Sequence, residues 1–159
     1  MHIRRARPEE APALAALAVR SKGHWPYPAG FLARFARGLG LDADVVAANE
    51  VWVAEHRGAV RGFYTLLHRA DRIVLDDLWL DPDEIGRGSG RELFEHARAR
   101  AAAAAGPPVL EWDADPPAVG FYEHMGAVTV GWVESPLGRP QPVMRLALTP
   151  HRGSPPAGR

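Results

Sequence analysis

The sequence predicts an α/β protein (α+β in its mixed sheet), with a central six- to seven-stranded sheet flanked by about four helices. Three observations predict it. Apolar patterns of strand and helix period follow one another in the order β-α-α-β-β-β-α-β-α-β-β. A run of strands containing a hairpin signal comes first, and an α/β crossover lies at the centre. Between them an apolar strand, a glycine-rich loop and the strongest helix of the chain succeed one another without a gap. The length, 159 residues, suits one compact domain, expected over residues 1–149, with a disordered tail over 150–159.

Each element has a local cause. His2 to Ala6 reads as a short opening strand closed by Pro8. Pro8-Glu9-Glu10 suits a helix start, through the proline preference for the first turn and the helix dipole. Leu14, Leu17 and Val19 then carry a helix to about Arg20. Gly23, Pro26 and Pro28 make Ser21 to Pro28 a loop. A second helix spans Ala29 to Leu39, with Phe31, Leu32, Phe35 and Leu39 on one stripe. Val51 to Glu55 and Gly62 to His68 flank the hairpin signal Arg57-Gly58. Arg72 to Leu80 is a third strand, whose alternation puts Ile73, Leu75, Asp77 and Trp79 on one face and Val74, Asp76, Leu78 and Leu80 on the other. The strongest helix runs from Gly88 or Ser89 to Ala105 and stops at Gly106-Pro107-Pro108. A strand at Val109 to Ala114, a short helix at Ala118 to Met125, and strands at Ala127 to Val133 and Met144 to Leu148 complete the sheet.

Composition narrows the function. Basic and acidic residues number 19 each, so no strongly basic face for nucleic acid or anionic membrane is suggested. With no cysteine there is no disulfide, thiolate catalysis or zinc–thiolate site. The seven histidines form no ligand-spaced pair or cluster with carboxylates, so no metal is expected. The apolar run Ala11 to Val19 is too short to span a membrane, and Pro8-Glu9-Glu10 disrupts any signal-peptide reading. A cytoplasmic protein is expected.

The chemistry concentrates at Ile85-Gly86-Arg87-Gly88-Ser89-Gly90, which follows Leu78-Trp79-Leu80-Asp81-Pro82 and opens the long helix. Glycines admit close backbone approach by a ligand, and the helix N-terminus adds a positive dipole. The pair suits a pyrophosphate, with Arg87 and Arg91 adding charge-assisted contacts. A ligand-free tight turn is the bland alternative. A Walker loop fails, because the chain's single lysine is Lys22, and the glycine spacing is wrong for a dinucleotide fingerprint.

These residues resemble the GNAT superfamily of acyl-CoA N-acyltransferases. Gly88-Ser89-Gly90 matches the last three positions of its motif Arg/Gln-x-x-Gly-x-Gly/Ala. A second signature, Ala-x-x-x-Tyr-Glu-x-x-Gly, matches Ala118, Tyr122, Glu123 and Gly126. The resemblance covers about residues 2 to 148. Ile85 departs from the usual Arg or Gln. Asp115 stands where many members carry Asn, and its carboxylate can cap the Ala118 helix.

The resemblance implies acetyl-CoA, or another acyl-CoA, as co-substrate. It places the cofactor against Gly86, Arg87, Gly88, Ser89, Gly90 and Arg91, against Leu78, Trp79 and Leu80, and against Asp115 and Phe121. It also implies direct acyl transfer to a primary amine in a ternary complex, with Tyr122 as acid to the leaving thiolate. Asp76 takes the position that supplies the base in some members. A salt bridge is its bland role, and Glu111 and Asp113 are alternative bases. Asp113 also joins the expected acceptor contacts. Ser21 to Tyr27 is rich in ligand-binding side chains, and a subset of small members shares a Ser-Lys-x-His-Trp segment and a Gly-Arg-x-x-Pro-like stretch. His24, Trp25, Tyr27 and Arg139 are therefore acceptor contacts, Arg139 suiting a carboxylate on the acceptor. A small-molecule amine is the expected partner, and dimers are common in the family. The competing readings are a non-catalytic acyl-CoA-binding or ligand-sensing module, and an interaction domain without a ligand.

Overall fold

The structure, a computed structural model, describes residues 1–104 and 106–149. Strand β1 (His2–Arg5) leads through a 3-10 turn at Pro8–Glu10 into α1 (Ala11–Gly23), α2 (Phe31–Gly38) and α3 (Ala43–Ala48). Strands β2 (Glu50–His56), β3 (Ala59–His68) and β4 (Ile73–Leu80) precede α4 (Ser89–Ala103). Then come β5 (Val109–Asp113), α5 (Val119–His124), β6 (Val128–Glu134) and β7 (Pro140–Ala147). Residues 150–159, expected to be a tail, lie outside the described residues.

The seven strands form one sheet in the order β1-β2-β3-β4-β5-β7-β6. β4 and β5 are parallel, whereas the other neighbouring pairs are antiparallel. Apolar residues on the two faces make two cores. Leu93, Phe94 and Ala97 of α4 pack with Tyr64, Leu110, Trp112 and Met144 on one face. Leu14 and Leu17 of α1 and Val46 of α3 pack with Val51, Val53 and Phe63 on the other. Consecutive Phe63 and Tyr64 thus serve opposite cores, as strand alternation requires.

Three sequence expectations are corrected. First, α1 runs to Gly23 rather than Arg20, because Ser21 and Lys22 are buried and prolong the helix. Second, α3 was not expected. It is only six residues long, too short for a periodic signal, and Asp42 starts it by accepting from Val45 N–H at 2.9 Å. Third, β4 does not alternate evenly. Thr65 pairs with Asp77 and Leu66 with Leu75, which leaves Asp76 as the extra residue of a β-bulge. Leu78 and Leu80 consequently pack on the same core as Ile73 and Leu75, while Trp79 packs on the opposite one.

The central strands also separate. β4 and β5 are paired only at Ile73 with Leu110 and Val74 with Glu111. Beyond that point β5 continues against β7 to Asp113, and β4 continues against β3 to Leu80. The bulge and the divergence open a gap in the middle of the sheet.

Candidate functional site

A cleft of about 710 Å³ enters this gap. Its walls come from α1, α2, β4, the loop before α4, the β5–α5 connection and the β6–β7 turn. Among the sequence-predicted residues, it brings together Asp76, Leu78, Trp79, Leu80, Gly86, Gly88, Gly90, Arg91, Asp113, Asp115, Phe121, Tyr122, Trp25, Tyr27 and Arg139.

At one end is the glycine loop. Gly86 and Gly88 have φ values of 78° and 88°, which side chains rarely adopt, and nothing lies within 4 Å of where a Cβ would stand. Gly90 differs: a Cβ there would lie 3.2 Å from Leu80 Cδ1, so its role is close packing of α4 on β4. The first α4 bond runs from Glu92 N–H to Gly88 C=O at 3.1 Å. The preceding amides therefore have no acceptor inside the helix. Open space above left-handed glycines, free amides and Arg91 fit a pyrophosphate. The Ser89 and Arg87 side chains turn away from the cleft, Arg87 against expectation. Ser89 Oγ donates to Glu84 at 2.6 Å, and Arg87 lines a separate hollow with His56 and Glu84. Arg91 is the arginine of this pair that faces the cleft.

The opposite wall is organised around Lys22, whose value the sequence did not reveal. It is only 5% exposed. Its Nζ lies 2.7 Å from Asp115 Oδ2 and within 4.7 to 5.8 Å of the ring centres of Tyr27, Phe31, Phe35 and Trp79. Each such ring contact is worth about 0.5–2 kcal/mol. Burial holds the Lys22 pKa below that of an ordinary lysine, although Asp115 pulls it upward. Tyr27 Oη donates to Asp115 Oδ1 at 2.5 Å, and its ring stacks on Phe31 at 4.3 Å. Burial, followed by Asp115, raises the Tyr27 pKa. Asp115 stands at the N-cap of the turn Pro116–Ala118 but makes no side-chain cap bond. Its carboxylate joins the α1–α2 segment to the β5–α5 connection instead.

His24 is a further correction. It is exposed, does not line the cleft, and packs edge-on against Trp25 at 5.0 Å. Trp25 and Tyr27 do line the cleft. From the apolar stripe of the second helix, Phe31, Phe35 and Leu39 line the cleft, Phe35 and Leu39 also pack on the α1 core, and Phe35 meets Trp79 at 5.4 Å.

Two carboxylates line the cleft where β4 and β5 diverge, Asp76 and Asp113. Asp76 opens into the cleft, yet the surrounding walls remove enough water that burial, opposed by Arg69 and aided by Asp113, raises its pKa. Asp113 is raised in turn by burial and by Glu111. Asp77 also borders the cleft, but it is only 9% exposed and accepts from Trp79 Nε1 at 2.9 Å. Glu111 is held by Arg72 at 3.0 Å and Arg145 at 2.5 Å. Asp115 is likewise engaged, by Tyr27 and Lys22, which leaves Asp76 and Asp113 as the cleft carboxylates without a side-chain partner among the described residues.

Tyr122 completes the site. Its ring is buried among Trp112, Phe121 and Phe94, at 4.8, 5.2 and 5.7 Å. It also borders the cleft. Burial, followed by Asp115, raises its pKa, so the hydroxyl keeps its proton at neutral pH.

Known proteins share this architecture. A family model described as Acetyltransferase (GNAT) domain matches residues 47–126. The peptidyl-lysine N-acetyltransferase YjaB of Escherichia coli K12 is 39% identical over 77 residues, 46% of this chain and 48% of that protein. The chain thus spans about half the length of the curated relatives it matches. A GCN5-related N-acetyltransferase from Rhodopseudomonas palustris is 26% identical, with a TM-score of 0.76 over 92% of this chain and 95% of that one. The PaiA N-acetyltransferase of Thermoplasma acidophilum, solved with coenzyme A, has a TM-score of 0.77 over 92% of this chain and 98% of that one. Its identity is 16%, and the likeness is one of fold.

Proposed function

Because the chain belongs to the GNAT acetyltransferase family, we propose that it transfers acetyl from acetyl-CoA to the primary amine of a small molecule, by direct attack in a ternary complex. The carrying observation is the opening between β4 and β5, with a phosphate cradle at one end, a carboxylate pair at its centre and an aromatic wall opposite. The unit 1–149 acts as one domain, in the cytoplasm. Among the described residues no helix is long and apolar enough to cross a membrane.

In this reading the free amides from Gly88 to Arg91 and the Arg91 side chain hold the pyrophosphate of the donor. Backbone groups of Leu78, Trp79 and Leu80 align its pantetheine arm along the free edge of β4, and Phe121 packs beside it. Acetyl-CoA supplies a thioester carbonyl open to attack. Asp76, which shares the cleft with Asp113, takes the proton lost by the amine as the new C–N bond forms. Tyr122 gives a proton to the sulfur as the C–S bond breaks. One proton is taken and one is given, so the site ends with Asp76 protonated and Tyr122 ionised, and solvent restores both.

A peptidyl-lysine acceptor is the second reading, favoured by the activity in the name of YjaB. The aromatic wall of Tyr27, Phe31, Phe35 and Trp79 supports the smaller acceptor. Purified chain, acetyl-CoA, a panel of small amines and lysine-containing peptides separate the two. Amine-dependent release of CoA with acetylation of a small amine is the expected result. Turnover of peptides alone would replace the acceptor assignment. CoA binding without turnover of either would favour a sensing module.

A further inference from the structure

Charges along the acceptor half of the cleft are ordered. Asp76 and Asp113 lie at its inner end, where β4 and β5 part. Lys22 and Asp115 neutralise each other on its wall at 2.7 Å. Arg34 and Arg139 line it as well, and neither has a carboxylate within ion-pair distance among the described residues. Arg91 lines the donor end of the cleft in the same unpaired state, whereas Arg4, Arg20, Arg72, Arg100 and Arg145 each hold a carboxylate.

Arg139 is more than a solvated loop residue. Its guanidinium lies 5.2 Å from the ring centre of Tyr27 and 5.7 Å from that of Phe31, two rings stacked nearly parallel. The turn that carries it is closed by Ser135 N–H to Arg139 C=O at 2.8 Å and by Arg139 N–H to Ser135 Oγ at 3.2 Å. The guanidinium is held beside both rings, and with no carboxylate partner its N–H groups are free for a planar anion. Asp115, the nearby carboxylate on this wall, already accepts from Tyr27 and pairs with Lys22, so its charge does not oppose an incoming anion.

We infer that the acceptor is a zwitterion: its ammonium lies between Asp76 and Asp113 and loses one proton to solvent before attack, the second going to Asp76 as the C–N bond forms, while its carboxylate lies on the guanidinium of Arg139. This rests on the acyl-transfer reading above and names its substrate class, short amino acids. Arg139 lies beside Tyr27 and Phe31 rather than at the glycine loop, so it serves the acceptor and not the phosphates of the donor.

Equilibrium binding separates the two claims. Protein saturated with CoA is titrated with short α- and ω-amino acids, each beside its own carboxamide. At least one amino acid binds about tenfold or more tighter than its carboxamide, the scale of a hydrogen bond to a charged group. Arg139→Gln abolishes that preference while CoA and carboxamide affinities stay unchanged, and Arg139→Lys restores part of it. No preference, no binding of any amino acid, or a preference surviving in Arg139→Gln overturns the inference. A preference without acetylation leaves the carboxylate site standing and removes acyl transfer. Acetylation of amines with no carboxylate preference does the reverse.

Discussion

Asp76→Asn is expected to lower kcat/KM for amine acetylation by about 10²–10⁴-fold, the range for loss of a positioned general base. CoA affinity should be unchanged, because Asp76 lies at the bulge of β4 and not at the glycine loop. The wild-type pH profile carries the sign. Burial raises the Asp76 pKa, so kcat/KM falls as pH drops through an inflection above the usual carboxylate range. The negative charge of Asp113 contributes to that rise. Asp113→Asn therefore moves the inflection to lower pH, and burial keeps part of the elevation. Asp77→Asn should leave the inflection in place, because Asp77 is buried and engaged by Trp79. An acidic limb indifferent to both Asp76 and Asp113 would assign the proton to another group.

Lys22→Met should carry the largest stability loss. Methionine fills the space among Tyr27, Phe31, Phe35 and Trp79, so little packing is lost. Asp115 loses its cation, and stranding one member of a buried pair costs about 3–5 kcal/mol. The lower end applies, because Asp115 keeps the Tyr27 hydroxyl and a face on the cleft. Adding Asp115→Asn removes the stranded charge, so the double variant should be more stable than the sum of the two singles predicts. Additive losses measured by denaturant unfolding would show that the pair is not coupled.

The sequence carried the donor side of this account more fully than the acceptor side, for a physical reason. A phosphate cradle is local: Gly86, Gly88 and the start of α4 are consecutive, so their spacing can be read along the chain. Tyr122 and Gly126 likewise belong to one short signature. The Lys22 cage draws on α1, α2, β4 and the β5–α5 connection, and nothing local distinguishes its aromatics from a core stripe. Phe31 and Phe35, four apart on a helix, carry the same pattern whether they face a core or a cleft. One signal was present in the single lysine of an arginine-rich chain. The β4 bulge was hidden for a different reason. It is set by the pairing of Thr65 and Leu66 with β4, and strict alternation assigns faces as though every residue had a partner. His24 was misplaced because α1 continues to Gly23, which leaves the next residue on the outer surface.

The claim underlying the whole account is that acyl transfer occurs in the gap between β4 and β5, beside Tyr122. Tyr122→Phe, compared with wild type for acetyl-CoA-dependent amine acetylation and for CoA affinity, tests it most directly. The ring still packs against Trp112 and Phe94, so fold and CoA affinity should persist while kcat falls by about 10²–10⁴-fold. Unchanged kcat in the folded variant would remove Tyr122 from the chemistry and contradict the placement of the reaction in this gap.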